Sequence, residues 1–143
     1  MIFIIAFYTL NNYYKYIKSK GDFSELKHFK YIIIDNKLEN QIEKVSNYIK
    51  DNDQKTLILD SSAAIYMIPI DRYNKDYDMF NKGNFGIDGE NRLRNSIKST
   101  RNIKYLILKD KFSKNWQTPS SIIDNVKENK ENIGEIEVFD IYQ

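Results

Sequence analysis

Two hydrophobic periods alternate along this chain, and that alternation limits the folds open to it. Short runs of β-branched and aromatic residues occur at Tyr31 to Asp35 (YIIID), Thr56 to Asp60 (TLILD) and Tyr105 to Leu108 (YLIL), with Ile136, Val138, Phe139 and Ile141 near the end. Short, nearly continuous apolar runs of this kind read as strands buried on both faces. Between them the period changes to that of a helix. Leu38, Ile42, Val45 and Ile49 recur at helical spacing, with Glu39, Glu43 and Lys44 off the stripe, so a helix is expected over about 38–51. A second helix is expected over 90–99, from Leu93 and Ile97. Thr118-Pro119 reads as an N-cap followed by Pro at the first helical position. Ile122, Ile123 and Val126 would face the core there, with Gly134 beyond the helix end. Ser61 or Ser62 could cap a short helix through Ala63 to Tyr66, stopped by Pro69. Phe23 to Phe29 shows no firm pattern.

Strands that alternate with helices imply a parallel or mostly parallel sheet with right-handed crossovers. The expected fold is therefore α/β, a small Rossmann-like three-layer domain with about four mostly parallel strands over residues 21–143. A chain of 143 residues is one domain in size and can bury a core without metals or disulfides. It has no cysteine, which excludes disulfides, thiolate zinc sites and a cysteine nucleophile. Its single histidine, His28, excludes a His-pair metal site and lies far in sequence from the loops considered below. The 22 bases and 20 acids are scattered, and without a basic block nothing points to nucleic acid. No cofactor motif is present.

The first ten residues, MIFIIAFYTL, are apolar and uncharged, and a Tyr- and Lys-rich flank follows. The run is about half the roughly 20 residues that a spanning helix needs, and it lacks the basic start and cleavage site of a signal peptide. Two readings stay open. Residues 2–8 form a buried strand, or residues 1–20 are the outer part of a membrane helix with the tyrosines as an interfacial belt.

Candidate ligand-binding residues cluster around Thr56 to Glu90. Asp60 ends an apolar run, at the carboxyl end of a strand where open α/β sheets bind ligands. It could serve as a phosphotransferase nucleophile, but Ser62 stands where such chemistry usually has a second aspartate. The simpler role for Asp60, as for Asp35, is to accept backbone N–H groups at a strand-to-helix turn. The polar loop that follows carries Asp71, Arg72, Tyr73, Asp78, Asn81, Gly83, Asn84 and Gly86, and ends at Asp88 and Gly89. Its glycines are spaced GxxGxxG and lie more than twenty residues past the strand, so the dinucleotide fingerprint is not met. Turns needing positive φ account for such glycines. The acids lack EF-hand spacing. Arg72 and Tyr73 could recognise a sugar or phosphate through a planar fork and a stacking face. Trp116 reads as a packing anchor. No Ser/His/Asp set is arguable, and no catalytic residue or metal ligand is assigned.

The segments ILDSSAAIYMIPIDRYNKDYDMFNKGNFGIDGE, YLILKDKFSKNWQTPSSIIDNVKEN and IGEIEVFDIYQ resemble, over about residues 30–143, the carboxyl-terminal end of a family of large multi-spanning bacterial membrane proteins. These are described as hypothetical membrane proteins or as glycosyltransferases of the lipid-phosphosugar-dependent type. The resemblance implies a membrane protein of the cell envelope whose last membrane helix, through residues 1–20, feeds this domain on the extracytoplasmic side. Its partners would be the membrane, the upstream transmembrane part and a glycan or lipid-linked sugar. The domain would be a non-catalytic accessory in cell-envelope glycan assembly, because the family's catalytic aspartate lies in an early loop that has no match here. The alternative is a stand-alone soluble domain that binds a nucleotide or phosphosugar at the carboxyl ends of its strands. A third possibility is an interaction module built on exposed tyrosines.

Overall fold

The computed structural model describes residues 2–19, 21–52, 56–72, 88–99, 102–109 and 118–143. The elements run α1 (Ile2–Lys18), β1 (Asp22–Phe23), β2 (Ile33–Ile34), α2 (Asn36–Asp51), β3 (Thr56–Ile58) and α3 (Ala63–Met67). A 3-10 turn (Ile68–Ile70), α4 (Gly89–Ser99), β4 (Lys104–Leu108), α5 (Ser120–Asn129), β5 (Asn132–Ile136) and β6 (Phe139–Tyr142) complete the order.

The main sheet has the strand order β3-β4-β6-β5, and β1 and β2 form a separate two-stranded ribbon. Alternate side chains of the central strands enter two cores. Ile58, Leu106, Phe139 and Ile141 pack with Ile42, Val45 and Ile49 of α2 and with Tyr66 and Met67 of α3. On the other face Leu57, Leu59, Tyr105 and Ile107 pack with Leu93 and Ile97 of α4 and with Ile122 and Val126 of α5. The helical stripes at i, i+3, i+4 and the strand period of two meet in both cores.

The expectation of a mostly parallel sheet is corrected. Only β3 and β4 are parallel; β6 runs antiparallel to both β4 and β5. A helix-length crossover makes a parallel neighbour, and α4 supplies one between β3 and β4. After α5, however, β5 passes directly into β6 through Glu137 and Val138, and so tight a turn allows only an antiparallel partner. The sequence hides this turn. Glu137 takes φ 49 with no glycine, while Lys44 Nζ donates to its carboxylate at 2.7 Å and Lys109 Nζ donates to its carbonyl at 3.0 Å. Ile136 and Phe139, expected in one strand, pair across the hairpin instead, and Gly134 sits at a bulge in β5.

YIIID is not a buried strand of this sheet. Ile33 and Ile34 pair with Phe23 and Asp22, and Tyr31 is 93% exposed. The run ends at once because Asp35 caps α2, its Oδ1 accepting from the N–H groups of Lys37 (3.0 Å) and Leu38 (3.2 Å). Gly21 is required where it stands. With φ +133, a Cβ there would lie 2.1 Å from the Ile34 carbonyl oxygen.

Residues 2–8 are helical, not a strand, and the membrane reading is corrected as well. No described helix is long and apolar enough to cross a membrane. The 17 residues of α1 span about 25 Å, against a hydrocarbon core of about 30 Å. Asn11, Asn12, Lys15 and Lys18 occupy its second half. A partial membrane helix over 1–20, the membrane as a partner and a cell-membrane location therefore lose their support.

Phe139 is fully buried and meets Tyr66 edge-on, with ring centroids 5.2 Å apart. Phe139→Ala should lower unfolding stability by about 3–5 kcal/mol. Urea denaturation should show a lower midpoint with an unchanged slope.

Candidate functional site

The parallel pair defines one end of the domain. β3 and β4 start together at Thr56 and Lys104, beside the end of α2, where Lys104 Nζ donates to Asn52 Oδ1. The opposite end, beyond Ile58 and Leu108, carries Asp60. α4 leads into the start of β4 and so begins near its carboxyl end. α5 begins there too, because the Thr118 hydroxyl donates to the Leu59 carbonyl at 2.8 Å. The starts of α4 and α5 are tied directly, Ser121 Oγ donating to Glu90 Oε2 at 2.7 Å. Arg94, one turn on, lies 3.3 Å from the same oxygen.

Asp60 is 5% exposed. Its Oδ2 accepts from the Ser62 N–H (2.8 Å) and from the Ser62 hydroxyl, and its carbonyl accepts from the Ala63 N–H at 3.2 Å. This is the turn-closing role expected of it. Ser62 precedes α3 but makes no side-chain cap to that helix; its hydroxyl donates to Asp60 instead. Behind the turn, Tyr66 Oη accepts from Gln41 Nε2 at 2.7 Å. Burial, more than the Gln41 hydrogen bond offsets, pushes the Tyr66 hydroxyl pKa up, and the Asp60 charge adds to the rise. Tyr66 is thus a neutral hydroxyl beside a carboxylate.

Arg72 and Asp71 are not brought to this end. Arg72 Nη1 donates to the Ile49 carbonyl at 3.0 Å, within the last turn of α2 and therefore toward the starts of β3 and β4. Asp71, at φ 55, closes the 3-10 turn and binds two residues of the β1–β2 connection. Lys27 Nζ donates to its Oδ2, and His28 Nε2 lies 2.7 Å from its Oδ1. The histidine that seemed remote thus meets the start of the glycine loop, across 43 positions that no spacing rule connects. Tyr73, Asp78, Asn81, Gly83, Asn84, Gly86 and Trp116 lie outside the described residues. Gly89 is described, and it opens α4 with φ +55, a turn that favours glycine.

Sequence reasoning passed over Gln41, Tyr66, Glu90 and Ser121 as site residues. It placed Thr118 at a helix cap, whereas its hydroxyl bonds to Leu59, just past β3, and Pro119 holds the cap position. Among the described residues, the buried oxygens Thr56 Oγ1 and Asn125 Oδ1 have no hydrogen-bond partner; Thr56 lies at the other end of β3. Among the described residues no group of three His, Cys, Asp or Glu side chains could hold a metal ion.

No protein family, curated protein or solved structure matches the chain. The resemblance to multi-spanning membrane proteins and to glycosyltransferases is corrected accordingly. With it go the accessory role in glycan assembly and the partners it implied, an upstream transmembrane part and a glycan or lipid-linked sugar.

Two predictions follow from this geometry. Thr118→Val keeps the shape but leaves the Leu59 carbonyl without its donor. It should cost about 1–3 kcal/mol, read as a lower denaturation midpoint. The hydrogen bonds from Lys27 and then His28 hold the Asp71 carboxyl below its ordinary value of 3.8. A depressed folded value contributes stability above the unfolded pKa, and that stability is lost as pH falls through the folded value. The gap in stability between the native chain and Asp71→Asn should therefore be present at pH 7 and close below about pH 4. Urea melts across that range test it.

Proposed function

We propose that the carboxyl end of the β3–β4 pair binds a small phosphorylated ligand, a nucleotide or a phosphosugar. The observation that supports this most is the joining of the α4 and α5 amino ends, through Ser121 and Glu90, beside the buried Asp60. The first turns of a helix present backbone N–H groups without intrahelical partners, and the helix dipole favours negative charge there. Both helices are long enough for the effect, at 11 and 10 residues. Glu90 opposes an incoming anion, but Arg94 offsets its charge and Ser121 occupies one of its oxygens. Asp60 and the hydroxyls around it supply the acceptors and donors that sugar or ribose hydroxyls need.

Nucleoside mono-, di- and triphosphates and hexose phosphates are to be tested against the chain by thermal shift, with amide NMR to locate binding. A true ligand at 100 times its Kd should add about 2.7 kcal/mol of stability. It should also move the amide signals of Asp60 to Ala63 and of Ser120 to Ile122. Ser62→Ala, which removes the hydroxyl bond to the Asp60 carboxylate and keeps the backbone N–H one, should weaken that ligand by about 10–150-fold, the equivalent of one hydrogen bond to a charged group. If no compound in the panel shifts the melt or these signals, the reading is wrong.

A further inference from the structure

We infer that residues 24–32, the connection between β1 and β2, form a strap that lifts off the domain as one unit while both cores stay folded. Lifting uncovers the place of Leu26 on the first core. The strap does not depend on the ligand reading above.

Its own hydrogen bonds make the strap a unit. The Ser24 N–H donates to the Ile32 carbonyl at 2.9 Å and brings the two ends together. Between them the Phe29 N–H donates to the Leu26 carbonyl (3.0 Å), the Ile32 N–H to the Phe29 carbonyl (2.8 Å) and the Leu26 N–H to Ser24 Oγ (3.1 Å). Compact surface loops with ends that meet are held by their own groups, so the strap can move without coming apart. The ribbon at its base pairs only Asp22 with Ile34 and Phe23 with Ile33, and two strands alone are marginally stable in water. What holds the strap down must come from the domain beneath.

That hold is mostly polar and rests on two carboxylates. Glu39, in the first turn of α2, accepts at Oε1 from the Ser24 hydroxyl (2.6 Å) and from the Glu25 N–H (2.8 Å). Asp71, at the end of the 3-10 turn, takes Lys27 and His28. Ser24 is buried, and Leu26 packs against the first core. Other large apolar side chains of this region stay in water: Phe23 is 64%, Tyr31 93% and Ile32 50% exposed. Closing the strap thus gains little from apolar burial, the dominant favourable term in most tertiary contacts. Backbone strain acts in the same direction. His28 takes φ 70 in the closed strap, a conformation costly for a residue with a side chain and relieved on release. A segment with few buried apolar contacts and a polar fastening opens below the free energy of global unfolding. Closed, the strap bridges α2 and the turn after α3; open, it frees that surface.

Native-state hydrogen exchange on the full 15N-labelled chain tests this. The amides of Ser24, Leu26, Phe29 and Ile32 bond within the strap, not to Glu39 or Asp71. They should share one opening equilibrium, with protection at least about tenfold below that of the β4 amides. Ile97→Val, a change in the second core, should speed β4 exchange by about 2–12-fold and leave the strap amides unchanged. Glu39→Ala should speed all four strap amides by one factor of about 10–150-fold, the loss of a charged hydrogen-bond acceptor. Asp71→Asn, at an exposed pair, should do the same by about 2–5-fold. Should Glu39→Ala not fold, Asp71→Asn and Ile97→Val decide the matter. Strap amides that follow β4 in Ile97→Val open only with the whole domain, and that overturns the inference. So does an effect of Glu39→Ala confined to Ser24 and Leu26, which would make the strap a set of independent contacts.

Discussion

Both cores of this domain depend on β4. It pairs with β3 on one side and β6 on the other, and its consecutive side chains point into different cores, Leu106 beneath α2 and α3, Tyr105 and Ile107 beneath α4 and α5. A strand in this position cannot slip by one residue without exchanging the two sets of neighbours. Its register with β3 also fixes where the parallel pair ends, and so where Asp60 and the starts of α4 and α5 come together. Position in the sheet, packing of the helices and geometry of the site are consequences of one pairing.

At that end the polar groups are mutually dependent. Thr118 ties α5 to β3, Ser121 ties α5 to α4, and Ser62 holds Asp60 at the turn. Each bond joins elements that the sheet has already brought close, so each is worth more than it would be on a mobile loop. The same closeness leaves the Asp60 carboxylate 5% exposed, bonded among the described residues only by Ser62. Strain is concentrated elsewhere, at non-glycine residues with positive φ: His28 and Asp71 meet each other, and Glu137 is held by Lys44 and Lys109.

Much of the local structure could be read from the chain. α2 follows from Leu38, Ile42, Val45 and Ile49, with Asp35 as its cap; TLILD and YLIL are the two parallel strands; Leu93 and Ile97 mark the buried side of α4. Asp60 was legible as a turn residue because Asp after an apolar run prefers to accept nearby N–H groups. Three readings failed for distinct physical reasons. YIIID has strand composition but lies on the outside, where composition says nothing about burial. The turn at Glu137 carries none of the usual turn residues. The apolar start has the composition of a membrane segment but not the length.

The sequence by itself determined the elements, since periodicity and caps act over a few residues and are written in neighbouring side chains. It also determined the absence of cysteine and of paired histidines, and with them the chemistries that are closed to this chain. Only the tertiary structure decided the direction of β6, the meeting of His28 with Asp71, the separation of Arg72 from Asp60 and the joining of α4 to α5 at Glu90 and Ser121. Those depend on strand order and on contacts between residues 23 to 43 positions apart, chosen by the packing of two cores around β4. No local pattern records such a choice.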